Sequence, residues 1–218
     1  MFLSLQNKST AQKDTLYYIG DPMCSWCYGF SPELDKVIQH FPELPLKIIV
    51  GGLRAHGDET FGQLSSFLEE HWKEINVKTG QPFRYQILEN KSIMYNTEPA
   101  CRAVVTIRML APASEYAFFK SLQKAFYYQN DNPTRLSTFI GLASSLGVEP
   151  AKFEKYYTSS VIVNETERDF KLARSLDVNG FPSLVALKDG KLHRLSDGFS
   201  SAQKIISKME ALGFIKNH

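Results

Sequence analysis

Two cysteines three residues apart stand where a strand gives way to a helix, and that junction limits what the chain can build. Thr15-Leu16-Tyr17-Tyr18-Ile19 is a β-branched and aromatic run halted by Gly20-Asp21-Pro22, the pattern of a buried strand closed by a turn. Asp21-Pro22-Met23-Cys24-Ser25-Trp26-Cys27-Tyr28 follows directly. From Ser25 to Phe41 the apolar residues Trp26, Phe30, Leu34, Val37, Ile38 and Phe41 recur at three- and four-residue steps, which predicts an amphipathic helix. Pro32 lies inside it and predicts a kink, because it supplies no backbone donor.

A thiol at the start of a helix meets free backbone donors and the positive end of the helix dipole, worth about 0.3–1 kcal/mol to an anion. This favours Cys24 as the thiolate and nucleophile. Cys27, one turn further on, faces the same side and is the thiol able to attack a mixed disulfide formed at Cys24. A zinc site would need two more ligands. Beyond the pair the chain offers only Cys101 and the scattered His40, His56, His71, His193 and His218, so no metal is expected.

Three cysteines in 218 residues are too few for a disulfide-stapled scaffold, and their use is expected to be chemical. The 25 basic and 23 acidic residues are dispersed and give a net charge of +2; with no basic run, neither nucleic acid nor an anionic membrane is an expected partner. No stretch approaches the ~18 apolar residues of a spanning helix. Met1-Phe2-Leu3-Ser4-Leu5 runs into Gln6-Asn7-Lys8-Ser9-Thr10 without an apolar core or cleavage site, so an export signal is not read and a cytoplasmic location is expected.

After Pro42 and Pro45, Leu46-Lys47-Ile48-Ile49-Val50 reads as a second strand closed by Gly51-Gly52, completing a strand, helix, strand crossover. A helical block follows to about Ser145, with helices expected over Phe61–Ile75, Thr97–Leu110, Ser114–Tyr128 and Leu136–Leu146. Helices over Pro150–Thr158 and Glu165–Leu176 come next. Gly180-Phe181-Pro182 opens a strand, Ser183–Leu187; Asp189-Gly190 gives a hairpin turn and Leu192–Leu195 the return strand. A helix from Ser201 to Leu212 closes at Gly213.

The CxxC, the helical block, the string Asn96-Thr97-Glu98-Pro99-Ala100-Cys101-Arg102-Ala103-Val104 and the late Gly180-Phe181-Pro182-Ser183-Leu184 together resemble DsbA-like thioredoxin-fold proteins, and most of all their FrnE branch. The resemblance covers nearly the whole chain. It implies an α/β thioredoxin fold with a large helical insertion, divided as residues 12–58 with 147–218 for the thioredoxin-like domain and 59–146 for the insert. It further implies a thiol–disulfide oxidoreductase or isomerase acting on protein thiols and disulfides, with no cofactor beyond its redox-active disulfide and with glutathione or a thioredoxin-type protein as reductant. Pro182 would form the cis-proline loop, with Phe181 facing the CxxC and offering backbone groups to an incoming peptide. Ser25 and Trp26 are candidates to border the bound substrate; Trp26, inside the motif, either simply covers the helix start or, as an exposed aromatic beside a reactive thiol, contacts unfolded substrate. In strongly oxidising members of the family a histidine between the cysteines stabilises the thiolate, whereas Ser25-Trp26 supplies no charge.

The kappa-class glutathione transferases and the 2-hydroxychromene-2-carboxylate isomerases share this architecture and form the alternative reading. They generally work with a serine or a single nucleophile, so the second cysteine counts against it. A peptide-binding chaperone would need an exposed apolar groove, yet the aromatics of the block, Phe61, Phe67, Trp72, Phe118, Phe119, Phe126, Tyr127 and Tyr128, have the spacing of core residues. Cys101, on a helix that Thr97 is expected to cap, reads as a buried thiol, with exchange with the CxxC as the sharper alternative. Arg54 and His56 follow the second strand and are weaker candidates to lie near Cys24. Asp21 either tunes the site or only shapes the turn.

Overall fold

The structure, a computed structural model, describes residues 13–176 and 178–215; the opening segment read above for an export signal lies outside them. Strand β1 (Thr15–Gly20) is central in a four-stranded sheet of order β2-β1-β3-β4. Its side chains alternate between two faces, as the pleat requires. Leu16 and Tyr18 enter the main core, while Ile19 enters a smaller one with Tyr17 packed against it. Strand β2 (Leu46–Val50) runs parallel to β1, so helix α1 (Ser25–His40) must cross between them.

Strands β3 (Ser183–Lys188) and β4 (Lys191–Asp197) form an antiparallel hairpin beside β1, with a bulge between Leu184 and Val185. Asp189 and Gly190 connect them at φ 50 and 77°, the doubly left-handed turn that suits two-residue hairpins. This is the turn read from Asp-Gly.

Between β2 and β3 the chain is helical: α2 (Phe61–Thr79), α3 (Glu98–Leu110), α4 (Glu115–Tyr127), α5 (Leu136–Ser145), α6 (Pro150–Tyr157) and α7 (Ser160–Ser175), with α8 (Ala202–Ala211) following β4. Helix α2 opens with a capping box between Thr60 and Gln63 and closes at Gly80, φ 73°. Helix α7 starts five residues earlier than its apolar periodicity indicated, because the Ser159 side chain accepts the Ile162 N–H and starts it there. Thr97 stands before α3 without capping it; its hydroxyl instead accepts the Arg54 N–H at 3.2 Å, and the Asn96 Oδ1 takes the Glu98 N–H at 3.0 Å. Helix α1 is continuous through Pro32. The Tyr28 carbonyl, deprived of the Pro32 donor, accepts from Ser31 Oγ at 3.0 Å and Gln81 Nε2 at 3.2 Å.

One buried cluster runs from Leu16, Tyr18, Ile48, Val50, Leu184 and Ala186 on the sheet into Trp72, Phe118, Phe126, Tyr127 and Phe153 of the helices. Phe67 departs from the expectation of a core aromatic, being 63% exposed. On the other face Ile19, Ile49 and Val185 pack against Ala173 of α7. Among the described residues no helix is long and apolar enough to cross a membrane.

Arg108 of α3 ties three helices to β2. Its two Nη atoms donate to Asp169 of α7 at 3.0 and 2.7 Å, its Nε to Glu115 at 2.7 Å, and Nη2 also to the Ile48 carbonyl at 2.8 Å. Asp169 in turn accepts the Val50 N–H at 3.0 Å. Burial opposes the guanidinium's charge, but the Asp169 bonds and Glu115 outweigh it and hold the group above its ordinary value. Arg108→Met would leave two carboxylates without their partner, and urea denaturation is expected to register a loss of about 3 kcal/mol.

Candidate active site

The turn after β1 is folded around one carboxylate. Asp21 is fully buried; its Oδ1 accepts the Met23 N–H at 2.8 Å and its backbone carbonyl accepts the Cys24 N–H at 3.0 Å. Its Oδ2 reaches across to accept the Leu53 N–H at 2.7 Å and the Cys101 thiol at 3.4 Å. Burial pushes this carboxyl up, and the donors from Met23, Leu53, Thr97 and Cys101 pull it back. Asp21 therefore both shapes the turn and stands behind the thiols.

Cys24 occupies the residue before the first turn of α1 in extended conformation, φ −85° and ψ 117°, and its carbonyl accepts the Tyr28 N–H at 3.1 Å. Its side chain leaves the helix end uncapped and is directed elsewhere: the thiol lies 3.7 Å from the Phe181 carbonyl oxygen. The Phe181–Pro182 bond is cis, as the resemblance implied. The Phe181 ring lies over Gly51, where an added Cβ would come within 2.1 Å of the ring tip. The glycine after β2 is thus required by the close approach of that ring.

The two thiols differ in access. Cys24 is 5% exposed and Cys27 is 0%. Burial pushes the Cys27 thiol well above the ordinary value, contact with Cys24 pushes it further, and bonds from the Tyr18 phenol and the Asp21 N–H pull it down. Of the two, only Cys24 keeps any exposure and lines the cleft.

Cys24 opens on a cleft of about 300 Å³ whose walls include Trp26, Arg54, Phe67, His71 and Phe181. Ser25, itself buried, is also part of the wall. Trp26 presents an edge-to-face contact to His71 at 6.0 Å and packs on Phe199 at 5.8 Å, while Phe67 stacks on His71 at 5.7 Å. Arg54 lies over the Tyr95 ring at 5.4 Å and pairs with Glu59. His56 is not in this wall. It is exposed, with φ 64°, and faces Glu167 of α7 at 3.3 Å.

The sequence reading missed Phe67, His71, Tyr95 and Tyr18. Tyr95 is buried and donates its hydroxyl to the Met23 carbonyl at 2.7 Å, bringing the helical block onto the CxxC turn. Phe67 and His71 are four apart on α2, which places them on one helical face; the only local signal was a histidine inside an aromatic stripe. Cys101 is fully buried against Asp21, and burial pushes its thiol well up. Among the described residues no group of three His, Cys, Asp or Glu side chains could hold a metal ion.

The DSBA-like thioredoxin domain matches this chain over residues 17–207. Among solved structures, a candidate protein disulfide isomerase from Nitrosomonas europaea superposes with a TM-score of 0.85 at 29% identity, over 92% of this chain and 97% of that one. The cytosolic disulfide reductase DsbM from Pseudomonas aeruginosa superposes at 0.78 with 24% identity, over 92% of this chain and 100% of that one, a likeness of fold; a second DsbM structure contains GSH. The ClpXP adapter protein SpxH of Halalkalibacterium halodurans is 22% identical over 180 residues, 80% of this chain and 58% of that protein, so the chain spans little more than half the length of this curated relative. With the sheet order, the cis-proline loop beside the CxxC and a domain match over most of the sequence, the chain belongs to the DSBA-like thioredoxin domain family.

Proposed function

We propose that this protein reduces and isomerises disulfide bonds in other proteins, with Cys24 as nucleophile and Cys27 as resolving thiol. The observation that carries the reading is the arrangement of the pair: an outer thiol at a helix start, beside the Phe181 carbonyl at 3.7 Å, backed by a fully buried inner one. The Cys24 thiolate attacks one sulfur of a substrate disulfide; the Cys24–substrate bond forms, and the other substrate sulfur leaves with the electron pair and takes a proton. Cys27 then loses its proton and attacks Cys24 Sγ, forming the Cys24–Cys27 disulfide and releasing the second substrate sulfur as a thiol. The protein ends oxidised by two electrons and needs a reductant.

Glutathione or a thioredoxin-type protein fills that role, the former supported by the DsbM structure that contains GSH. The likeness to a cytosolic reductase supports a cytoplasmic setting, where such donors are kept reduced. In this scheme residues 12–58 and 147–218 supply the chemistry, and the inserted residues 59–146 supply the cleft wall opposite Trp26. A glutathione-dependent isomerase of the kappa or 2-hydroxychromene-2-carboxylate type would need one nucleophile only and leaves the buried Cys27 without a task.

The two cysteines are distinguished by substitution. Cys27→Ser is expected to accumulate mixed disulfides with protein substrates on a non-reducing gel, and Cys24→Ser to trap nothing and lose insulin-disulfide reduction. Cys101→Ser should keep close to the parent rate. A Cys24→Ser protein that reduces insulin as fast as the parent would overturn the assignment. Because no charged side chain lies between the cysteines, equilibration with glutathione buffers should give a potential of about −180 to −270 mV, between protein disulfide isomerase and thioredoxin; a value near −120 mV would mark an oxidant instead. Gly51→Ala should displace the Phe181 ring and slow insulin reduction several-fold, while Cys24 remains open to alkylation by iodoacetamide.

A further inference from the structure

We propose that the Tyr18 phenol is the hydrogen-bond donor that stabilises the Cys27 sulfur as it becomes a thiolate, which makes Tyr18 a catalytic residue of the resolving step. The proposal rests on the two-thiol mechanism above and adds a residue to it. A Cβ built on Gly20 would lie 2.7 Å from Tyr18 Cζ, 2.8 Å from its hydroxyl oxygen and 3.2 Å from Cys27 Sγ. The hydroxyl and the sulfur therefore crowd the same face of Gly20, and the missing side chain leaves room for the phenol to reach the thiol. Tyr18 is 1% exposed and Cys27 is 0%, so bulk water does not stabilise a charge on this sulfur.

A buried thiolate needs donors, and two lower the Cys27 thiol: the Tyr18 hydroxyl, which shares the face of Gly20 with the sulfur, and the backbone of Asp21. The other groups that feel its charge are the Cys24 thiol on the same helix and the phenols of Tyr95 and Tyr127 from the helical block. Burial pushes all three phenols up, so at neutral pH they keep their protons, and each can donate a hydrogen bond without giving its proton away. Tyr18 thus acts as a fixed donor and not as a base. In the step itself the Cys27–H bond breaks, the sulfur attacks Cys24, the Cys24–substrate bond breaks, and the departing sulfur takes up a proton. Atoms and charge balance without a further reactant.

The sign follows from the donor's role. A bond to the charged form lowers the thiol's ionisation midpoint, so removing the hydroxyl should raise it by about one to two pH units. Since a more basic thiolate is also more nucleophilic and recovers about half of each lost decade, resolution should slow about three- to tenfold near neutral pH.

Tyr18→Phe removes only the hydroxyl and keeps the ring contacts with Phe119 at 5.5 Å and Phe30 at 6.2 Å. The reduced protein is mixed with oxidised glutathione and quenched with acid at intervals, and the Cys24–glutathione adduct is followed by mass spectrometry across pH. The adduct should form at the parent rate and decay about three- to tenfold more slowly, with the midpoint of the decay profile moved upward. As a second measurement, the thiolate absorbance of Cys27 is titrated in Cys24→Ser and in Cys24→Ser/Tyr18→Phe, and the latter should titrate higher. Unchanged decay together with an unchanged Cys27 midpoint would overturn the role of Tyr18 and leave the two-thiol mechanism intact. Failure of the parent protein to form any adduct would overturn that mechanism, and this proposal with it.

Discussion

The site depends on the carboxylate of Asp21. One oxygen holds the Met23 N–H and so shapes the CxxC turn; the other holds the Leu53 N–H and so fixes the loop after β2. That second loop carries Arg54 into the cleft wall, and the Gly51 before it accommodates the Phe181 ring. A single buried acceptor pair therefore sets the mutual position of three segments far apart in sequence. The cost is visible in the upward push that burial exerts on the carboxyl, and it is offset by the backbone donors of Met23 and Leu53 that its two oxygens accept.

From this joint the difference between the thiols follows. The turn ends β1 at its buried, central position, so the first residue of the helix system lies at the edge of the cleft and the residue one turn later points back toward the sheet. Cys24 keeps a sliver of exposure and Cys27 keeps none. Geometry thus orders the access of the two thiols, outer before inner, and the inner thiol's environment is built from protein donors in place of water. The pair reads as one device with unequal halves.

The parts legible in the sequence were those fixed by near neighbours. The strand ending in Gly-Asp-Pro, the helix behind the CxxC and the Asp189-Gly190 hairpin all depend on backbone preferences and short-period apolar patterns, and the structure has them. The cis bond before Pro182 came through resemblance, with no local signal to specify it. What escaped were contacts between distant segments. Tyr18 looked like any buried strand aromatic until Gly20 and Cys27 were placed beside it. Tyr95 and His71 come from the helical stretch after β2, where a histidine inside an aromatic stripe is the one local signal and nothing near Tyr95 marks its reach to the CxxC turn. His56 misled for the converse reason: following β2 suggested proximity to Cys24, but its left-handed backbone turns it toward Glu167. Thr97 likewise had a capping composition, and a tertiary bond to Arg54 claimed its hydroxyl.

The same contacts make the helical block part of the site. Segment 95–97 is laced to the loop after β2: the Tyr95 N–H donates to the Glu59 carbonyl at 2.7 Å, the Thr97 N–H to the Arg54 carbonyl at 3.2 Å, and the Asn96 side chain accepts the His56 N–H at 2.9 Å. From that fixed segment Tyr95 reaches the Met23 carbonyl beneath the CxxC. Helix α2, capped firmly at Thr60, brings Phe67 and His71 up to Trp26. The block therefore does more than cover the sheet. It clamps the turn that carries Cys24 from behind and supplies the aromatic wall in front of it, so the shape of the cleft beside Cys24 is set by the block while the turn itself is set by Asp21.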